Sequence, residues 1–249
     1  MSSGLHQLYS LYRCRLDGFR APVKALIRVH KMQDYREQRM PTSTHAPFRY
    51  VGGDPALDFV NTVDWTDHGL VHERLSDYAR LVRWAEGAGI IRVADAGELL
   101  KRARRRPDEA RRAYRSALRL REAMQCVVNG LAAPKGVAPG ELQAALKLLN
   151  ASLRESLTRL NLEQGAHGMS LSWRGFGDEL ESPIWALVWS AARLLASEEV
   201  GKLRICAGDN CGWVYVDRSR NGLRRWCQMA TCGTLRKTER RRARRRATR

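Results

Sequence analysis

Four of the six cysteines of this 249-residue chain stand between positions 206 and 232, as C-x4-C, a gap of fifteen residues, and C-x4-C. So short a segment cannot bury much apolar surface by itself, so four thiols at matched spacing have to be read as its staple. A reducing compartment keeps thiols free, which favours a metal over two disulfides. Zn2+ is the ion that fits: four thiolates satisfy its tetrahedral preference, leave no open position and make a closed, structural site. Cys206, Cys211, Cys227 and Cys232 are therefore the candidate ligands of one structural zinc, with a redox dithiol site as the alternative. Cys14 and Cys126 are isolated; the first reads as an incidental thiol and the second as a core residue of a helix.

The residues between the pairs predict a hairpin. Trp213–Asp217 alternates like a short strand, Asn221-Gly222 is a two-residue turn signal, and Leu223–Trp226 begins a return strand. Pairing Arg220 with Leu223 would set Cys211 level with Cys232. Gly208, Gly212 and Gly233 lie inside or just after the cysteine pairs, where a chain wrapping its amides around sulfur is expected to need positive φ. Trp213, Tyr215 and Trp226 are the expected miniature core, and metal binding is expected to supply most of the folding free energy, on the order of 10 kcal/mol.

The net charge of +18 is unevenly spread. Residues 202–249 carry 15 Lys and Arg against 3 acids, residues 1–47 carry 8 against 3, and residues 48–201 carry 21 against 20. A nearly neutral body is thus flanked by basic ends, which points to a polyanion met mainly at the C-terminus. The plain alternative is a solvated basic tail. The segment GTLRKTERRRARRRATR, taken as a helix from about Leu235, has Glu239 as its one acid. Like charges at i,i+3 and i,i+4 should fray it until phosphates relieve the repulsion, giving salt-dependent affinity. Candidate nucleic-acid contacts are Arg224, Arg225, Arg236, Lys237, Arg240, Arg241, Arg244 and Arg245.

Two family resemblances rest on these residues. Cys206, Cys211, Trp213–Asp217, Ser219, Arg224-Arg225-Trp226-Cys227, Met229, Cys232-Gly233, Lys237 and the following arginines closely resemble the CGNR-type zinc finger of bacterial proteins regarded as stress-induced transcription regulators. Upstream, FRYVGGDPALDFVNTVDW, then Leu75-Ser-Asp-Tyr and Leu81-Val-Arg-Trp84, resemble the start of the ABATE domain that accompanies this finger. Together the resemblances cover about residues 48–245. They imply a zinc-dependent DNA-binding module at the C-terminus and an upstream domain that senses a signal or regulates the finger. One departure is plain: the signature reads Cys232-Gly233-Thr234-Leu235, so Thr and Leu replace Asn and Arg. Arg236 stands one place later, turned by about 100 degrees on a helix.

The organisation expected is a basic extension over 1–47, flexible or upstream of the true start, a helical ABATE-like domain over 48–200, and the finger with its basic helix over 201–249. The fold class is mainly α with a small β component. Asp54-Pro55 sets an N-cap and first-turn pair before Leu57 and Val60. Helices follow at about 76–87, 95–105, 108–131, 139–162 and 182–198, and Met169–Trp173 alternates like a strand. Asp58 and Asn61 form a polar face that could line a pocket for an unidentified small ligand, though capping or solvated residues explain them as well. His68 and His72 in HGLVHE read as an ordinary loop. No run of about 18 to 20 apolar residues supports a membrane span, and the N-terminus lacks the apolar core of a secretory signal, so a cytoplasmic protein is expected. No catalytic constellation is evident. The leading expectation is a DNA-binding regulator and not an enzyme; the alternatives are an RNA-binding or ribosome-associated protein, or an enzyme using the central domain.

Overall fold

A computed structural model describes residues 48–66, 69–133, 137–165, 168–208 and 211–247. The expectations for residues 1–47, Cys14 among them, and for His68 lie outside the described residues. Among these residues no helix is long and apolar enough to cross a membrane.

The first helix, α1 (Pro55–Val60), forms where Pro55 presets φ at the first helical position and Asp54, in extended conformation, accepts the Ala56 N–H at 2.8 Å. Every residue of α1 after Pro55 is buried, so this one short turn is a central element. An antiparallel hairpin follows, β1 (Val63–Thr66) and β2 (Gly69–Glu73), with an irregularity between Asp64 and Trp65. The HGLVHE segment is thus partly strand where a loop was expected. Helix α2 (Tyr78–Gly87) is capped by Asp77, whose carboxylate accepts the Arg80 N–H at 2.8 Å. Helices α3 (Val93–Arg105) and α4 (Pro107–Ala132) meet at Pro107, which ends one and opens the other. Helix α5 (Pro139–Leu157) packs on α4 and on α6 (Ser182–Leu195).

Between α5 and α6 stands a second hairpin, β3 (Leu160–Gly165) with β4 (Gly168–Trp173), registered Leu160 to Trp173 and Leu162 to Leu171. The α5 pattern therefore ends before 162, because the apolar spacing switches to alternation at Leu160. A 3-10 turn (Glu198–Lys202), capped by the Ser197 hydroxyl, leads into β5 (Leu203–Ile205), which pairs antiparallel with β6 (Val214–Val216). A single wide turn (Met229–Gly233) then opens directly into α7 (Thr234–Ala247).

Leu57, Phe59, Trp84, Leu99, Leu120 and Leu187 are fully buried in one core, with the Phe59 and Trp84 rings 5.1 Å apart. Leu203, Val214 and Val216 belong to that same core, so the two strands before and after the first cysteine pair are part of the helical body's interior. Cys126 packs against it, as expected of a core residue. Arg121, 1 % exposed, is a large cation inside this core; it donates to the Thr62 hydroxyl and to the Glu73 carboxylate, both at 2.8 Å. Pairing with Glu73 makes that burial tolerable and pins β2 to α4.

Candidate metal centre and nucleic-acid surface

The fold delivers all four cysteines of the paired motif to one point. Cys206 follows β5, Cys211 precedes β6, Cys227 precedes the wide turn that opens α7, and Cys232 lies within that turn. Their sulfurs all lie within 4.8 Å of one another, with Cys211 to Cys227 at 3.8 Å and Cys227 to Cys232 at 3.6 Å. Four thiolates about 2.3 Å from a tetrahedral ion stand about 3.8 Å apart, so the cage is sized for one zinc ion. Backbone bonds hold it: the Cys206 N–H donates to Trp213 O at 2.8 Å, the Ala207 N–H to Arg225 O at 2.9 Å, and the Cys227 N–H to the Cys206 sulfur at 3.2 Å.

The chemistry of the donor set calls for a cation. Hydrogen bonds from the Cys211 and Cys227 thiols and the Cys227 amide pull the Cys206 thiol well below the usual range. Hydrogen bonding to Cys206 pushes the Cys211 thiol up to about 12 and raises that of Cys227 as well. One sulfur ionises readily while its neighbours resist, and a divalent ion at the centre lets all four serve as thiolates.

The glycines of the cage have a different reason from the one expected. Neither Gly208 nor Gly233 has positive φ; Gly208 is small because a Cβ there would lie 3.3 Å from the Cβ atoms of Cys211 and Cys232 and from the Cys232 sulfur. A Cβ at Gly233 would meet the Met229 sulfur at 2.4 Å and the Trp226 ring at 3.2 Å. Close approach of backbone to the cage accounts for glycine at position 208, and packing against the Met229 and Trp226 side chains for glycine at 233, without left-handed geometry at either. Gly222, in the turn, does adopt φ of 63°.

The expected hairpin about Asn221-Gly222 is replaced by pairing with an upstream strand. β6 pairs with β5, upstream, and residues 217–227 return as a loop. Asp217 is the cause: its carboxylate accepts the Ser219 N–H at 2.9 Å and the Arg224 N–H at 3.0 Å, ending the ladder and folding the loop about itself. Ser219 also donates its hydroxyl to Asp217, which holds that carboxyl below its ordinary range. The Tyr215 hydroxyl donates to Arg224 O at 2.7 Å. Trp213 and Tyr215 are buried and Trp226 half-buried around the cysteines, the small core expected there.

Arg224 is corrected in role. It is turned inward, stacked 4.1 Å over the Tyr215 ring, donating to Trp226 O at 2.9 Å, to Val51 O at 3.2 Å and to Cys227 O. It braces the loop and is not presented to a polyanion. Arg225 is exposed, over the Trp226 ring at 5.4 Å. Lys237, Arg241 and Arg245 are exposed on α7 and Arg236 is half-buried, within 3.3 Å of Glu239. Arg240 and Arg244 are on the same helix, their side chains outside the described residues. Thr234, at the signature's altered position, donates its hydroxyl to Met229 O at 3.1 Å, and Leu235 beside it is 64 % exposed.

Asp58 and Asn61 are also corrected. Both are buried and bonded to backbone. Asn61, 2 % exposed, grips Val214 with both amide atoms: Nδ2 donates to Val214 O at 2.8 Å and Oδ1 accepts the Val214 N–H at 2.9 Å. Asp58 accepts the Gly52 N–H at 2.8 Å, and burial raises its carboxyl to about 6. Gly52 O in turn accepts the Val216 N–H at 2.9 Å. The supposed ligand face is thus the clamp that seats β6 on α1.

Other ties across this seam carry no local sequence signal. Trp213 Nε1–H donates to Val63 O at 3.2 Å, and Arg74, paired with Asp64 at 2.6 Å, lies over the Trp213 ring at 5.4 Å. Arg218 donates to Gly53 O at 2.7 Å and to both Glu199 oxygens at 2.6 and 2.7 Å. A composition shift near 202 marks the boundary of charge but conceals how firmly the two sides interlock.

Comparison with known families agrees with this layout. The family described as CGNR zinc finger matches residues 202–245, which hold the whole cage and nearly all of α7. The ABATE family, described as "Putative stress-induced transcription regulator", matches residues 53–198, more than half of the chain and the whole run from α1 to α6. No curated protein matches the chain. The helical body that clamps the metal-bearing strands is an ABATE domain, and the chain belongs to that family, with a CGNR zinc finger at its C-terminal end.

Proposed function

We propose that the chain is a cytoplasmic, zinc-dependent DNA-binding protein that regulates transcription, its helical body governing the finger. The observation that carries this reading is the rooting of α7 on the cage: Cys232 is the last metal ligand, Gly233 ends the turn, and Thr234 begins the helix. Residues 234–247 hold eight Lys and Arg against one Glu. Such a helix has no apolar stripe with which to join a core, and its charges suit the phosphates of a duplex. The metal would fix the angle at which it leaves the body. Arg225, Lys237, Arg241 and Arg245 are assigned to phosphate or base contacts, with Arg236, Arg240 and Arg244 on the same helix. No residue is assigned a catalytic role.

The body's part in the reading rests on the seam. Asn61, Gly52, Gly53 and Glu199 hold the finger through backbone and charge contacts, so a shift of α1 or of the 3-10 turn would reach the base of the cage. A competition assay tests the proposal: zinc-loaded protein at about 150 mM salt, where nonspecific phosphate binding weakens, with labelled genomic fragments against bulk DNA and bulk RNA. Retention of a discrete set of DNA fragments, abolished by chelation, is the expected result. Equal competition by every polyanion would reduce α7 to an electrostatic tail, and preference for RNA would move the protein to a different class of regulator.

A further inference from the structure

Helix α6 has a second face, turned away from the core. Ile184, Leu187, Val188 and Ala191 point into the core. Trp189, Ser190 and Arg193 instead line an open groove of about 420 Å3, lined also by Trp173 of β4, Ile90, and the start of α1 at Asp54. This volume is that of a small-molecule site. Trp189 is half-buried.

The charges in the groove choose the ligand. Of the two carboxylates there, Glu199 accepts from Arg218 through both oxygens, and Asp54 accepts the Ala56 N–H at 2.8 Å and the Ser190 hydroxyl at 3.0 Å through Oδ1. Arg193 is exposed and has no acidic partner among the described residues. An anionic ligand meets the fork of N–H donors on Arg193. Two indoles ask for a flat apolar body. We propose that this groove binds a small aromatic carboxylate, its ring against Trp189 and Trp173 and its carboxylate on Arg193. Occupancy would press on the wall that holds Glu199, and so on the Arg218 pairing at the base of the finger. The binding claim stands independently of whether the finger engages DNA.

The test uses the full-length, zinc-loaded protein with isotope-labelled tryptophan indoles, titrated with naphthoate and, separately, with naphthylmethylamine as a cation of similar shape. The expected result is a saturable shift of the Trp189 and Trp173 signals, assigned with Trp189→Phe and Trp173→Phe. Affinity for the amine should be weaker by about tenfold or more, and Arg193→Gln should weaken naphthoate by about tenfold, as removal of one charge-assisted hydrogen bond would. Arg193 is exposed, so the variant should otherwise keep the wild-type spectrum. Absence of a saturable shift at millimolar naphthoate would overturn the proposal. Equal binding of the amine, or unchanged naphthoate affinity in Arg193→Gln, would do the same.

Discussion

The two halves of the finger are held by different forces. Strands β5 and β6 sit inside the core of the helical body, with Val214 and Val216 essentially inaccessible and Asn61 bonded to both polar atoms of Val214. The second half, from Cys227 through α7, reaches the body through the cage and the Arg224 brace, and α7 itself is a polar helix whose described side chains are largely exposed. The first half should therefore outlast loss of the metal, and the second should not. A separate module folded by zinc alone, the expectation from length and cysteine spacing, gives way to a module half-built from its neighbour's core.

The largest effect is expected from breaking the metal link. Cys227→Ser or chelation should lower DNA affinity by about a hundredfold or more, because α7 loses its fixed exit and its basic residues then meet phosphates singly. Binding titrations at fixed salt measure this, while far-UV circular dichroism should retain most of the signal of the helical body. A result with DNA affinity intact would make the cage irrelevant to binding.

Next in size is the clamp. Asn61→Ala leaves the N–H and carbonyl of Val214 buried without partners, each costing about 1 to 3 kcal/mol, so thermal unfolding should show a destabilisation of about 3 kcal/mol or more. Asn61→Asp should also destabilise, since it keeps an acceptor and removes the donor. If Asn61→Ala melted like wild type, the two halves of the contrast would not differ as described.

Asp58 gives a pH-dependent version of the same test. Its carboxyl titrates near 6 in the folded protein, raised chiefly by burial, against 3.8 for an aspartate in water. A raised acid binds its proton more tightly when folded, so its contribution is full below the unfolded value and is lost as pH rises through about 6. Asp58→Asn should then raise stability at pH 8 by on the order of 1 to 3 kcal/mol and change little at pH 4. Melts at the two pH values decide it; a variant less stable at pH 8 would mean that the Gly52 N–H bond outweighs burial.

The smallest effects lie on the exposed surface. Arg218→Ala breaks a half-exposed pair and should cost less than about 1 kcal/mol of stability. Replacing Lys237 and Arg241 together by Gln should leave stability unchanged and reduce the slope of log affinity against log salt by about two, since each neutralised phosphate adds about 0.9 to that slope. An unchanged slope would remove this face of α7 from the interface.

Much of this was legible in the residues. Asp54-Pro55 announces a helix start by local chemistry, the four cysteines announce their own meeting, and Met169–Trp173 alternates as a strand should. What escaped depended on partners far along the chain. Asn221-Gly222 signals a two-residue hairpin, but the turn is closed from the Gly222 N–H to Ser219 O, Asp217 closes the loop and β5 supplies the strand partner, a competition that period and turn signals cannot weigh. Asn61 looks like any helix-end polar residue until Val214, 153 positions later, arrives beside it. The HGLVHE segment hid a strand because its glycine and histidines dilute the β signal, although Glu73 at its end was the partner that Arg121 required.

Residue-resolved hydrogen exchange on zinc-loaded and chelated protein tests the central contrast most directly. The account predicts that amides of 203–205 and 214–216 stay protected after chelation while those of 227–247 exchange freely. Loss of protection across both segments would contradict it, returning the finger to a module folded by its metal, and so would protection retained across both.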